Sequence, residues 1–258
     1  MCTVLIGRDV TGRGEIVIGA NRDEDPARPS DPPGVLLDSP RLVGGRDRVS
    51  GGTWLAVRTP HSAGAEGEVG PSSVTLLLNR RPLPGAPVPA RSRGLLTIDV
   101  ARARDPFATA QAEAASGRYG PCTLVYVSPA SCWWLAIPSA SPVRAGTIAP
   151  GWHAITHAEM DDSSEPRTVW LGRELARDTL MGAGLALAKL SSLLSHHGDA
   201  NSPAVCLHEG VMRTVSSALI VLRRDRPLYR HAEGRPCTQP FVDVSPLLRA
   251  GGTNDEAP

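Results

Sequence analysis

The chain has 258 residues, 41% of them hydrophobic, enough apolar material for a sizeable core, and a single domain over residues 1–249 is the expectation. Lysine and arginine total 27 against 26 for aspartate and glutamate, so the net charge of +1 gives no electrostatic reason to expect nucleic acid or an anionic membrane as partner; a small molecule fits better. Five cysteines without a CxxC pair argue against a disulfide framework or a zinc ribbon and for a reducing compartment, the cytoplasm by default.

The opening MCTVLIGRDV has no basic leader, and Arg8 and Asp9 end its apolar run, so it does not read as a secretory signal; no later stretch reads as a membrane span. Cys2 to Arg8 and Glu15 to Ala20, rich in Val and Ile around a turn with Gly12 and Gly14, are expected to form a β-hairpin. Pro26 to Gly34 reads as a surface loop, Thr53 to Arg58 as a strand, His61 to Ser73 as a loop and Val74 to Asn79 as a strand. After the proline-rich loop Pro82 to Pro89, Asp105-Pro106 opens a helix over Phe107 to Ala115. Thr123 to Ser128 and Trp133 to Ile137 follow as strands, and His153 and His157 read as residues on one face of a polar strand. Arg167 to Leu180 is a second helix, and Leu185, Ala188, Leu190, Leu193 and Leu194 mark one stripe of a third. Ala204 to His208, Ser217 to Arg223 and Leu228 to His231 are the last strands, before a frayed tail over 250–258. Many strands with the helices grouped in the middle predict an α+β domain, a layered αββα arrangement among the options.

The chemistry is concentrated near the start. A small second residue permits removal of Met1, which would leave Cys2 with both a thiol and a free α-amine. The amine titrates near ~7.7–8.0 and an ordinary thiol near ~8.5, so one residue would supply nucleophile and base. Folding back of the hairpin brings Asn21-Arg22-Asp23-Glu24 beside Cys2, where Arg22 can lower the thiol pKa and Asp23 can orient the ammonium. The same residues read alone as an inert edge-strand thiol and a solvated turn with a surface ion pair.

Asn21-Arg22-Asp23-Glu24, some twenty residues after Met-Cys, resembles the tetrapeptide that names the NRDE family, also called the transport-and-Golgi-organisation family. The resemblance continues through Arg28-Pro29, Gly51-Gly52-Thr53-Trp54-Leu55, Leu78-Asn79, Ser92-Arg93-Gly94 and Arg213-Thr214, and is weak between residues 100 and 200. It implies likeness to the N-terminal-nucleophile (Ntn) hydrolases, particularly the cysteine amidases that cleave conjugated bile acids and penicillins, and hence a four-layer αββα sandwich. By that resemblance Cys2 is the nucleophile, Arg22 and Asp23 flank it, Asn79 donates to an oxyanion hole, and Arg213 sits near the thiolate. Asn21 and His157 are further candidate oxyanion or substrate contacts. Two departures are visible: His157 stands where an Asn is expected, and the Asn often found after the Arg-Thr pair is missing. Without the resemblance, Asn79 also reads as a strand-end turn residue and Arg213 as a surface cation.

Other signals point to simple roles. His153 and His157 lack a partner at ligand spacing, His208-Glu209 is not followed by the rest of HExxH, and His196-His197 suits a helix end, so no metal is expected. Gly12-Arg13-Gly14 lacks the third glycine of a dinucleotide loop and there is no Walker lysine, so no nucleotide cofactor is expected either. Cys122 and Cys132 read as reduced core residues, and Trp54, Trp133, Trp134 and Trp152 as core anchors or the lining of an acyl pocket. Three functions compete: an amidohydrolase or acyltransferase working through acyl-Cys2 on a linear amide or thioester, a non-catalytic binding or trafficking protein for an acyl-lipid or haem-like ligand, and a salt-bridged hairpin with no ligand.

Overall fold

The computed structural model describes residues 2–59, 71–86, 88–177, 181–223 and 226–249. Its strands fall into two antiparallel sheets. The first has the order β10-β1-β2-β11-β12-β13, built from β1 (Thr3–Arg8), β2 (Ile16–Glu24), β10 (Gly151–Ile155), β11 (Arg213–Leu222), β12 (Leu228–Glu233) and β13 (Val242–Asp243). The second runs β3-β4-β5-β6-β7-β8-β9, from β3 (Ser30–Asp38), β4 (Arg41–Asp47), β5 (Leu55–Arg58), β6 (Ser73–Asn79), β7 (Cys122–Val127), β8 (Cys132–Ile137) and β9 (Arg144–Thr147).

Alternation along the strands sorts the apolar side chains into layers. Val4, Ile6, Ile18, Ala20 and Ile220 from the first sheet meet Val43, Leu55, Val74, Leu76 and Val125 from the second in the central core. The intervening residues Leu5, Val17, Leu219 and Val221 face the other way, onto α3 (Pro166–Ala176) and α4 (Ala183–Leu194). Behind the second sheet, Leu77, Leu124 and Leu135 pack against α1 (Arg93–Arg102) and α2 (Pro106–Ala115). The order is therefore helices, sheet, sheet, helices. Strands buried on both faces read as continuous apolar runs, which is why Val4 to Ile6 and Leu76 to Leu78 show no alternation in sequence.

Several elements differ from expectation. β2 continues through Asn21-Arg22-Asp23-Glu24, because β11 pairs with it as far as Glu24; the charged tetrapeptide is the end of a central strand. β3 forms where a loop was expected. Pro32 and Pro33 cannot donate to a ladder, but β3 is the edge of its sheet and the pairing skips between Asp31 and Gly34, so the cost is small. α1 was not anticipated; its apolar face is narrow, made of Leu96, Val100 and Ala101 with Thr97. Ala204 to His208 is not a strand: the amides of Val205 and Cys206 both donate to the His196 carbonyl, and no ladder forms. In α4 the buried stripe is Ala186, Leu187, Leu190, Leu193 and Leu194, while Leu185 is 70% exposed. Residues 60–70, 178–180 and 250–258, which include most of the His61 to Ser73 loop and the tail, lie outside the described residues.

Candidate active site

Cys2 lies at the open end of β1, on the face turned toward the central core. Thr3 pairs with Asn21, so Cys2 falls opposite Arg22, and the tetrapeptide divides by strand alternation. Arg22 and Glu24 project into the same cavity as Cys2, whereas Asn21 and Asp23 project toward the helical layer. The cavity, of about 210 Å³, is walled by Cys2, Arg22, Trp54, Asn79, Ser216 and Tyr229, with further arginines at Arg28, Arg46 and Arg93.

The cavity's far wall is assembled from the short motifs. The Asp47 carboxylate accepts from Arg28 Nε at 2.8 Å and from the Val49 and Ser50 amides at 2.8 and 3.2 Å. Burial alone would raise the Asp47 carboxyl; these donors outweigh it and hold the group below its ordinary range. The loop they order delivers Gly52 against Gly94 at the start of α1, with the Thr53 amide donating to the Gly94 carbonyl at 3.1 Å. A side chain on Gly52 would sit 2.6 Å from the Gly94 Cα and the Leu95 nitrogen, so only glycine permits the approach. Ser92 caps that helix by accepting from the Gly94 amide. Gly51-Gly52-Thr53-Trp54 and Ser92-Arg93-Gly94 are thus two sides of one backbone contact.

Asp23 is fully buried on the opposite face. Thr214 Oγ1 donates to its Oδ1 at 2.7 Å, and Arg167 Nη1 lies 3.9 Å from Oδ2. Burial raises its carboxyl pKa against the pull of these partners. The Asp23 backbone carbonyl reaches the other face, 4.0 Å from Cys2 Sγ. Burial, then the negative charge of Asp23, push the Cys2 thiol up to about 11; Arg22 acts in the lowering direction expected of it but does not offset them. The sulfur is a neutral thiol at pH 7 that needs a base. Met1 lies outside the described residues.

The remaining candidates are dispersed. Asn21 is buried, and its amide donates to the carbonyls of Leu194 and Val205 at 2.8 and 3.2 Å while its Oδ1 accepts from Ser217 Oγ at 2.7 Å. All of this lies on the helix side of the sheet, away from the Cys2 cavity. Asn79 ends β6 at the cavity mouth, exposed, with no hydrogen bond to its side chain among the described residues. Arg213 pairs across from Glu24 and lines an adjoining cavity with Arg22, Arg28 and Arg235. His157 follows β10, half-buried, outside that lining; burial lowers its pKa. Arg167 was not anticipated. It donates to Thr3 Oγ1 at 3.2 Å from the first turn of α3, where the helix dipole disfavours a cation, and that misplacement was the signal available in the sequence. Trp54 lines the cavity, while Trp133 stacks on Tyr126 in the core behind the second sheet, with ring centroids 5.2 Å apart. Cys122 and Cys132 are free thiols at the starts of their strands. No helix among the described residues is long and apolar enough to cross a membrane.

The solved structures bear on the fold alone. The chain is similar to a Caenorhabditis elegans N-acylethanolamine-hydrolyzing acid amidase ortholog, with a TM-score of 0.54 and 11% identity over 85% of this chain and 92% of that one. It is also similar to the C2A mutant of a conjugated bile acid hydrolase from Clostridium perfringens, with a TM-score of 0.48 and 10% identity over 97% of this chain and 95% of that one. No protein in the curated set matches by sequence. Among the described residues, the arrangement of two sheets between helical layers is that of the Ntn-hydrolase fold. The family model for Transport and Golgi organisation 2 matches residues 1–198, covering the second-residue cysteine, the Asn21–Glu24 tetrapeptide and both glycine motifs, and this chain belongs to that family.

Proposed function

We propose that the chain is a cysteine Ntn hydrolase, an amidohydrolase or acyltransferase that acts on a linear amide or thioester through acyl-Cys2. The observation that carries this is the position of the Cys2 thiol: in the wall of a polar cavity, at the free end of β1, with Asp23 directly behind it. Removal of Met1 places an α-amine on the same residue. That amine takes the thiol proton as the sulfur attacks the acyl carbon, and Asn79 donates its amide to the resulting oxyanion. When the C–N or C–S bond breaks, the ammonium returns the proton to the leaving group. Water, deprotonated by the same amine, then hydrolyses the acyl-Cys2 bond, or an amine acceptor takes the acyl group. A thiol held near 11 suits this scheme because the proton moves to an adjacent base during attack and is not lost beforehand.

Asp23 serves as the positioning residue for the ammonium, held by Thr214 and Arg167. Arg22 is the cation beside the sulfur, and Arg213 contributes from the adjoining cavity. The lining carries four arginines, Arg22, Arg28, Arg46 and Arg93, and four carboxylates, Glu24, Asp31, Asp47 and Glu233, which suits a polar substrate. The test is an activated acyl probe read by intact mass: the expected adduct sits on Cys2 of chains that have lost Met1. Equal labelling of Cys2→Ala would refute the assignment.

One observation favours the second reading, a non-catalytic carrier of an acyl-lipid or haem-like ligand. Beyond Asn79 and Arg93 lies a mainly apolar cleft of about 650 Å³, lined by Pro82, Val88, Pro89, Leu207 and Met212. Stoichiometric binding of a fluorescent fatty acyl probe that survives Cys2→Ala, with no product formed, would decide for it.

A further inference from the structure

The expectation of no metal rested on spacing along the chain, and space gives a different answer. His197 follows α4, Cys206 and His208 lie in the irregular segment before β11, and Cys237 lies beyond β12. One ligand atom from each falls within 4.8 Å of all the others. Cys206 Sγ and Cys237 Sγ are 3.5 Å apart, and His208 Nε2 is 3.7 and 3.1 Å from the two sulfurs. The His197 ring meets the His208 ring edge to face, with centroids 4.5 Å apart. We propose that His197, Cys206, His208 and Cys237 form a closed, structural site for one Zn²⁺.

The distances among three of the four donors are close to those the metal would require. Tetrahedral Zn²⁺ with Zn–S near 2.3 Å and Zn–N near 2.05 Å has S–S edges of about 3.8 Å and S–N edges of about 3.6 Å. The Cys206–Cys237 and His208–sulfur separations lie within half an ångström of these, and the His197 ligand atom lies within 4.8 Å of the other three, so its exposed ring must swing in to complete the tetrahedron. A sulfur pair at 3.5 Å is not a disulfide, whose bond is about 2.05 Å. Two thiols and two imidazoles make a donor set that selects tetrahedral zinc over the hard cations. Binding releases two thiol protons; Zn²⁺ with two thiolates and two neutral imidazoles carries no net charge, so no uncompensated charge is created in this half-buried place. Arg235 Nη1 stands 3.1 Å from His208 Nδ1, which keeps the ring proton on Nε2. Coordination through Nε2 moves that proton to Nδ1 and turns Arg235 aside.

The segment between the ligands is the one that supports Asp23 and Asn21. Leu207, between Cys206 and His208, donates its amide to Thr214 Oγ1 at 2.9 Å, the hydroxyl that also binds Asp23. The Val205 carbonyl accepts from Asn21. A metal here would pin, from behind, the residues that back the Cys2 cavity.

The experiment uses tag-free full-length protein, reduced and dialysed against chelator, titrated with Co²⁺ and then Zn²⁺. Expected is about one Co²⁺ per chain with the intense visible bands of tetrahedral cobalt and a thiolate charge-transfer band, displaced by Zn²⁺, together with a higher melting temperature. Cys2→Ala should leave the spectrum intact, so the outcome is independent of the hydrolase proposal. Cys237→Ser should abolish the charge transfer from its sulfur and weaken binding by more than about the 10–100-fold that outer-shell partners cost. If Cys237→Ser does not fold, His197→Ala removes an exposed ligand without disturbing the core. The proposal is overturned if reduced protein shows only octahedral cobalt, if these variants bind like the parent, or if metal-free protein isolated without reductant carries a Cys206–Cys237 disulfide.

Discussion

Replacing Asp23 by Asn tests how the two faces of β2 act on the sulfur. Burial and then the Asp23 charge raise the Cys2 thiol from 9.0 to about 11, so at neutral pH its thiolate is about 100-fold scarcer than that of an ordinary cysteine. Asn keeps an oxygen for the Thr214 hydroxyl and removes the charge. The Asp23 charge is the second cause of the rise, after burial, so its removal lowers the thiol pKa and increases the thiolate present at pH 8. The assay is the rate of iodoacetamide alkylation at Cys2 between pH 7 and 11, followed by peptide mass spectrometry. A lower midpoint and faster alkylation at pH 8 are expected, while acyl transfer falls because the amine loses its partner. An unchanged or higher midpoint would refute the reasoning. The stability effect has its own sign: the Asp23 carboxyl is raised on folding, so its contribution is most favourable below the ordinary value of 3.8 and declines as pH rises through the folded value. The Asn variant should lack that decline in its melting profile.

Gly52→Ala forces a methyl against the Gly94 backbone, and overpacking of this kind costs about 1–3 kcal/mol. At roughly 2–4 °C per kcal/mol a calorimetric melt should register it, and an unchanged midpoint would show that the contact yields freely. Asn21→Ala strands the buried Leu194 and Val205 carbonyls at about 1–3 kcal/mol each, so a comparable or larger drop is expected in chemical denaturation; a neutral effect would mean water replaces the amide. The His153 imidazole is raised by its hydrogen bond to Asp161 at 2.6 Å, so its stabilisation is full below the ordinary 6.5 and is lost as pH rises through the raised value. His153→Gln should flatten the melting temperature across that window, and an unaltered slope would refute the pair's contribution.

The legible parts of the sequence were those with a local cause. β1, β6, β7 and β8 announce themselves as runs of apolar and β-branched residues, and α2 by Asp105-Pro106 at its start. What escaped depended on tertiary partners. Ser30 to Asp38 becomes a strand only because an edge tolerates its prolines. The tetrapeptide's place inside β2 depends on a partner nearly two hundred residues away. The site was legible in so far as hairpin geometry brings Arg22 and Asp23 to Cys2, but the assignment of sides was not: Asn21 and Asp23 turn away from the cavity, and Arg167 reaches Asp23 from α3, marked in the sequence only by a cation in the helix's first turn. His197, Cys206, His208 and Cys237 carried no regular spacing to read.

The split across β2 depends on one irregularity in its neighbour. In a regular β11, Thr214 and Ser216 would face the same side of the sheet. The register shift between them, with Val215 as the extra residue, sets Thr214 opposite Asp23 and Ser216 opposite Arg22, on opposite faces. The hydroxyl of Thr214 thereby reaches the buried carboxylate while Ser216 lines the Cys2 cavity. The same shift places Arg213 across from Glu24, two residues past the Arg22 that faces Cys2, which explains why it opens onto the adjoining cavity. The bulge is held by the Gly234 amide, which donates to the Val215 carbonyl at 3.0 Å. One inserted residue in β11 therefore lets a four-residue segment of β2 supply a cation to the thiol on one side and a carboxylate supported by Thr214 and Arg167 on the other.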